Sequence, residues 1–88
     1  FTALQSGEID ILARITTFSL GRNTSLGIDF PVITFFDGQG FMVKKSTNIK
    51  STTELNGATI CLETGTTTEL NAADYFRSKG MKYQILGF

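Results

Sequence analysis

Ala58-Thr59-Ile60-Cys61-Leu62-Glu63-Thr64-Gly65-Thr66-Thr67-Thr68-Glu69-Leu70, continued through Phe76 and Gly80 to Lys82-Tyr83-Gln84-Ile85-Leu86, decides the fold. Ala58 to Glu63 is apolar and β-branched over a strand's length. Thr64-Gly65 turns the chain. Thr66 then stands three residues before Glu69, the hydroxyl-to-carboxylate spacing of a capping box that opens a helix. The spacing puts Leu70, Ala73 and Phe76 on one broad face, and Gly80 marks the stop. Lys82 to Leu86 reads as a second strand. Strand, glycine turn, helix and strand within about 30 residues make a βαβ unit. Its strands are expected to be parallel, with a right-handed crossover. The fold class is therefore α/β with a parallel sheet.

Upstream, Ser51-Thr52-Thr53-Glu54 repeats the capping spacing, and Asn56-Gly57 ends a very short helix after Leu55. Ser46 to Lys50 reads as a surface loop. Val32–Phe36 and Phe41–Lys44 are β-rich runs around Asp37-Gly38-Gln39-Gly40, whose residues tolerate positive φ. A hairpin or a sharply bent strand pair is expected, with Phe35 and Phe36 as core and rim. Arg14 to Gly27 is polar and reads as a loop with one helical turn near Leu20–Asn23. Glu8 to Ala13 reads as a short buried strand, and Phe1 to Gly7 as the last turn of a helix. That helix has no start, and Tyr83 to Phe88 is a strand with nothing after it. The chain is accordingly expected to be an excised piece of a longer protein. Cys61, between Ile60 and Leu62, is either a buried small hydrophobe or half of a disulfide whose partner lies outside these residues.

Composition narrows the function. Lys+Arg and Asp+Glu are both 8, so net charge is zero. That removes the basic footprint a nucleic-acid binder needs. No apolar run approaches the roughly 20 residues of a membrane span. One cysteine and no histidine leave no self-contained disulfide framework. They also leave no Ser-His-Asp or Cys-His catalysis and no histidine-ligated metal. A hydrophobic content of 41% is globular rather than disordered. An 88-residue chain buries only about 60–65% of its unfolded surface.

Open α/β sheets bind ligands at the carboxyl ends of their strands. Here that end is Glu63 to Thr68. The first N–H groups of the helix lack internal partners and carry partial positive charge, which suits an anion. Gly65 lets a ligand approach the backbone, and the hydroxyls of Thr66, Thr67 and Thr68 add donors. The Gly-Lys-Ser/Thr ending of a P-loop is absent, so a small carboxylate fits better than a nucleotide. The competing reading is that Thr66 and Glu69 only cap the helix, and the two readings can coexist. A second cluster, Arg14-Ile15-Thr16-Thr17 with Arg22, also follows a predicted strand. A guanidinium binds a carboxylate through two parallel hydrogen bonds, although a lone loop arginine is ordinarily a solvated residue. No acid–base constellation, cofactor motif or metal-ligand set is present.

The order of these motifs resembles one family over nearly the whole chain. Gly7-Glu8-Ile9-Asp10, then Thr17 and Arg22, resembles the first-lobe end of polar amino-acid-binding proteins. These are the type II periplasmic solute receptors of ABC importers. Phe36-Asp37-Gly38-Gln39-Gly40-Phe41-Met42-Val43 resembles their crossing into the second lobe. Leu55-Asn56-Gly57-Ala58-Thr59-Ile60 and Gly65-Thr66-Thr67-Thr68-Glu69-Leu70 resemble the first βαβ unit of that lobe. The wording is closest to the general L-amino-acid-binding branch. The resemblance implies a fragment of the type II two-lobe fold. Residues 1–30 would end lobe one, 31–45 would form the crossing hinge, and 46–88 would begin lobe two. It implies that Arg22 clamps the substrate's α-carboxylate beside Thr17. Thr67, at the helix start after Gly65 and Thr66, would donate to the same group, and Thr68 would face the ligand. Ile15 stands where many relatives carry a small polar residue, so only its backbone would serve. The family's acidic residue for the α-ammonium group lies later in lobe two. A family member would hold about 230–340 residues, of which these are about a third.

The implied protein is a non-enzymatic periplasmic receptor. Its partners would be L-amino acids and the membrane permease of an ABC importer, with no nucleic acid and no cofactor. Hinge closure of the lobes would trap the ligand. The alternatives on the same fold are a sensory ligand-binding domain, which needs flanking membrane or DNA-binding modules, and a dehydratase, which needs an acid in the cleft. Uncovered strand faces and edges also predict self-association of the isolated chain.

Overall fold

The computed structural model describes residues 1–88, which divide into two units, Phe1–Asp37 and Gly38–Phe88. The first unit holds two short helices, α1 (Thr2–Gln5) and α2 (Leu20–Ser25). Ser19 starts α2, its hydroxyl accepting the Arg22 N–H at 3.3 Å. The Gln5 amide donates to the Leu26 carbonyl at 2.7 Å, tying α1 to the end of α2. Phe18 and Phe30 meet edge to face, 5.4 Å between centroids. No residue of this unit is buried.

Glu8–Ala13 is not the buried strand expected from its composition. It is irregular and unpaired, and Ile11 is 80% exposed. A strand satisfies its backbone groups through a neighbour, and this unit contains no other strand to pair with. The expected hairpin across Asp37–Gly40 is likewise absent. Val32–Phe36 and Phe41–Lys44 share no ladder, and Phe35 and Phe36 are exposed rather than core and rim.

The second unit carries the predicted βαβ. β1 (Ala58–Leu62) and β2 (Tyr83–Gly87) pair in parallel, Ala58 opposite Tyr83 and Leu62 opposite Gly87, with α3 (Thr67–Ser78) between them in sequence. The ladder runs on past β2, with Phe88 N–H on the Leu62 carbonyl and Thr64 N–H on the Phe88 carbonyl. Before β1, the capping box of Ser51 and Glu54 forms as its spacing required, but around a 3-10 turn (Thr52–Leu55) rather than an α-helix. A second 3-10 turn, Lys45–Thr47, overlaps the start of the expected loop Ser46–Lys50.

The core is Leu55, Leu62, Ala72 and Phe76. Phe76 is fully buried, with ring centroids of Tyr83, Phe41 and Tyr75 at 4.7, 5.7 and 5.8 Å. The helix presents Ala72 and Phe76 inward, one turn apart, and leaves Leu70 64% exposed. The expected face of Leu70, Ala73 and Phe76 is therefore rotated, because the rotation of a helix is set by the surface it packs on. Cys61 is exposed and free, not a buried hydrophobe. Alternation along β1 turns Ala58, Ile60 and Leu62 to the more buried face and Thr59 and Cys61 to the other.

Two outcomes follow from this packing. Phe76→Ala is expected to cost about 3–5 kcal/mol of stability, measured by urea unfolding; a loss below 1 kcal/mol would show that the aromatic cluster does not hold the unit together. With so much apolar surface open, the isolated chain is expected to scatter light with a mass above its 9.6 kDa. A monomer at all concentrations would contradict that.

Candidate ligand-binding site

In the second unit, β1 ends at Leu62 and the chain turns through Gly65 at φ +73°, a conformation suited to glycine. Thr66 is the N-cap of α3. Its hydroxyl accepts from Glu69 N–H at 3.3 Å and donates to the Glu63 carbonyl at 2.7 Å. The Glu69 carboxylate reaches back to Gly65 N–H at 2.7 Å, one residue short of the cap itself. This is the predicted box with its return bond shifted by one residue. Gly65 N–H is thereby occupied and does not remain free for a ligand. The N–H groups of Thr67 and Thr68 donate to no atom of the chain. Thr67 is half-buried and Thr68 exposed. Capping and free donors therefore coexist at this turn.

A charged group already sits here. Glu69 places one carboxylate where the helix dipole favours it. A second anion at the neighbouring Thr67 and Thr68 donors would meet like-charge repulsion from that carboxylate. A mostly apolar groove of about 530 Å³ runs beside β1, lined among others by Phe41, Val43, Ile60, Cys61 and Thr68.

In the first unit, Arg22 is half-buried in the first turn of α2. Its Nη1 donates to the Thr17 carbonyl at 2.8 Å, and its guanidinium lies 4.9 Å from the centre of the Phe1 ring. No carboxylate of the chain pairs with it; the one ion pair is Arg77 with Asp74 on the surface of α3. Of its five N–H donors, most remain free. Thr17 contributes its carbonyl to Arg22 and leaves its hydroxyl in solvent. Ile15 is fully exposed and makes no contact that would assign it a role.

Sequence reasoning did not reach Phe1, Gln39 or Asn71. Gln39 Nε2 donates to the Thr68 carbonyl at 3.0 Å, and Asn71 Nδ2 donates to Gln39 Oε1 at 3.2 Å. No local spacing encodes these contacts, which join residues far apart in the chain. The one available signal was a polar side chain between two glycines, inside a run otherwise read as a turn.

No family model matches the chain. Across all 88 residues it is 57% identical to the general L-amino acid-binding periplasmic protein AapJ of Rhizobium johnstonii. Over 83 residues it is 54% identical to the glutamate/glutamine/aspartate/asparagine-binding protein BztA of Rhodobacter capsulatus. It is 49% identical over 88 residues to the putative amino-acid ABC transporter-binding protein YhdW of Escherichia coli K12. The chain spans 26% of AapJ and 25% of BztA, so it covers about a quarter of their length rather than the expected third. Among solved structures, a periplasmic binding protein from Brucella ovis with glutathione bound superposes with a TM-score of 0.92 at 54% identity. That match covers 99% of this chain and 28% of the other. The fold is thus that of a segment of a periplasmic binding protein.

Thr66→Ala removes both hydroxyl bonds at the start of α3 and is expected to lower stability by about 1 kcal/mol, with Thr66→Ser close to wild type. Equal unfolding midpoints for the alanine and serine variants would show that the cap does not hold this turn.

Proposed function

We propose that this chain, homologous to one quarter of the length of amino-acid-binding periplasmic proteins, serves the capture of L-amino acids. The intact protein would be the periplasmic solute-binding component of an ABC importer, handing its ligand to a membrane permease. In this reading Arg22 and Thr17 recognise carboxylate on the first unit. On the second, the first turn of α3 supplies the Thr67 and Thr68 donors, with Thr66 holding that turn in shape.

Arg22 carries the reading. The residue is half-buried, and its guanidinium is held by a carbonyl on one side and an aromatic ring on another in a solvent-accessible contact, with no carboxylate partner in the chain. Such an arrangement keeps the fork in place while leaving donors for an incoming carboxylate. The names of the relatives support the substrate class. One is named for L-amino acids in general, one for two acidic amino acids and their amides, and the structural neighbour holds glutathione. All of these molecules carry an α-amino-acid head group with both charges. A head group of that kind also suits the Glu69 carboxylate beside the α3 donors better than acetate does.

The test is titration calorimetry on the intact protein with L-glutamate, L-glutamine, L-leucine and acetate. Saturable heats with amino acids but not with acetate are expected. Arg22→Ala should weaken amino-acid binding by at least about 30-fold, and Arg22→Lys by less, since an ammonium keeps the charge but not the fork. Wild-type affinity in Arg22→Ala would end the carboxylate-clamp assignment.

A further inference from the structure

The peptide group between Thr68 and Glu69 is held at both ends. Its N–H donates to the Thr66 hydroxyl at 3.3 Å, and its carbonyl accepts the Gln39 amide at 3.0 Å. A peptide group is planar and stiff, so fixing both ends fixes the orientation of the first turn of α3. The adjoining groups in that turn are the free N–H donors of Thr67 and Thr68. The Thr68 carbonyl is also an acceptor of the helix's own ladder, and a carbonyl has two lone pairs, so it can take both bonds. Asn71, one turn further along α3, donates to Gln39 Oε1 at 3.2 Å and so fixes the amide's direction. Two residues on, Phe41 lies against Tyr75 and Phe76 of the same helix. Residues 39 and 41 therefore dock on α3 together, while Met42 between Phe41 and Val43 is almost wholly exposed.

We infer that Gln39 is a positioning residue for ligand binding, one that aims the Thr67 and Thr68 N–H groups from a segment outside the βαβ unit. The inference rests on the proposed amino-acid reading for its functional consequence, but the positioning itself is a property of the ligand-free protein. Glutamine suits the task because one planar amide gives a donor and an acceptor at once. Glutamate keeps the acceptor toward Asn71 and loses the donor toward the Thr68 carbonyl. The contacts are solvent-exposed, so their effect on global stability is small, and their effect on orientation is what distinguishes them from packing.

The experiment compares wild type, Gln39→Ala, Gln39→Glu and Asn71→Ala in the intact protein by two measurements. The first is amide-resolved NMR without ligand. Both Gln39 variants are expected to shift the Thr67, Thr68 and Glu69 amide resonances and to speed Glu69 exchange, with the midpoint of thermal unfolding unchanged. The second is calorimetric titration with L-glutamate and L-glutamine. Affinity is expected to fall about three- to tenfold in both Gln39 variants, with Asn71→Ala intermediate. Adding Asn71→Ala to Gln39→Ala should cost nothing further. Unperturbed Thr67–Glu69 amides would overturn the positioning role whatever the affinities. Perturbed amides with wild-type affinity would overturn its link to binding. Should wild type bind no amino acid, the amino-acid reading and that link fall together, and the ligand-free spectra decide the positioning role.

Discussion

The second unit depends on the burial of one ring. Phe76 comes from the middle of α3 and touches Tyr83 on β2, Phe41 on the incoming segment and Tyr75 on its own helix. Its carbonyl takes the Met81 N–H while Arg77 takes that of Gly80, the paired bonds that end a helix at a glycine. The same residue thus sets the rotation of α3, the point where it stops and the start of the return strand. The donors at Thr67 and Thr68 stand a little over two turns away on the same rigid rod. Their location is a consequence of how Phe76 packs, and their fine orientation a consequence of how Thr66, Glu69 and Gln39 bind the first turn.

What was legible in the sequence was what local chemistry dictates. Ser51 with Glu54 and Thr66 with Glu69 announced two chain turns by spacing alone, and both formed. Gly65 and Gly80 marked the ends of the linker and of α3. The parallel pairing followed from a strand, a helix and a strand in a row. Contacts supplied by distant residues were not legible. Glu8–Ala13 has a strand's composition, but pairing is a property of two segments. The burial of Leu70 or Cys61 depends on which face of its element meets a neighbour, and a rotation of one residue reverses the answer. The free donors of Thr67 and Thr68 followed from the Thr66–Glu69 spacing, whereas Arg22 was singled out by resemblance and by a preceding strand that does not form, and the Ser19 cap beside it went unread. Gln39, Asn71 and Phe1 act on those residues across gaps that no periodicity spans.

The two units hold their polar groups differently. In the second, the first turn of α3 stands on an aromatic core. In the first, nothing is buried, and Arg22 is held by a carbonyl, a ring face and the cap of its own short helix. A relative four times longer has additional chain with which to cover such surfaces, and the 0.92 TM-score to part of a larger protein shows that this backbone path also occurs within one.

The parallel pairing also constrains the order of assembly. Ala58 meets Tyr83 only after the whole of α3 has been placed between them, and parallel strands cannot be joined by a tight turn. Closing that long loop costs entropy before any ladder bond is made. The helix, capped at Thr66 and stopped at Gly80, turns most of that span into a short rod. Because α3 spans most of the chain between the two strands, the length of that helix and the register of the sheet are set together.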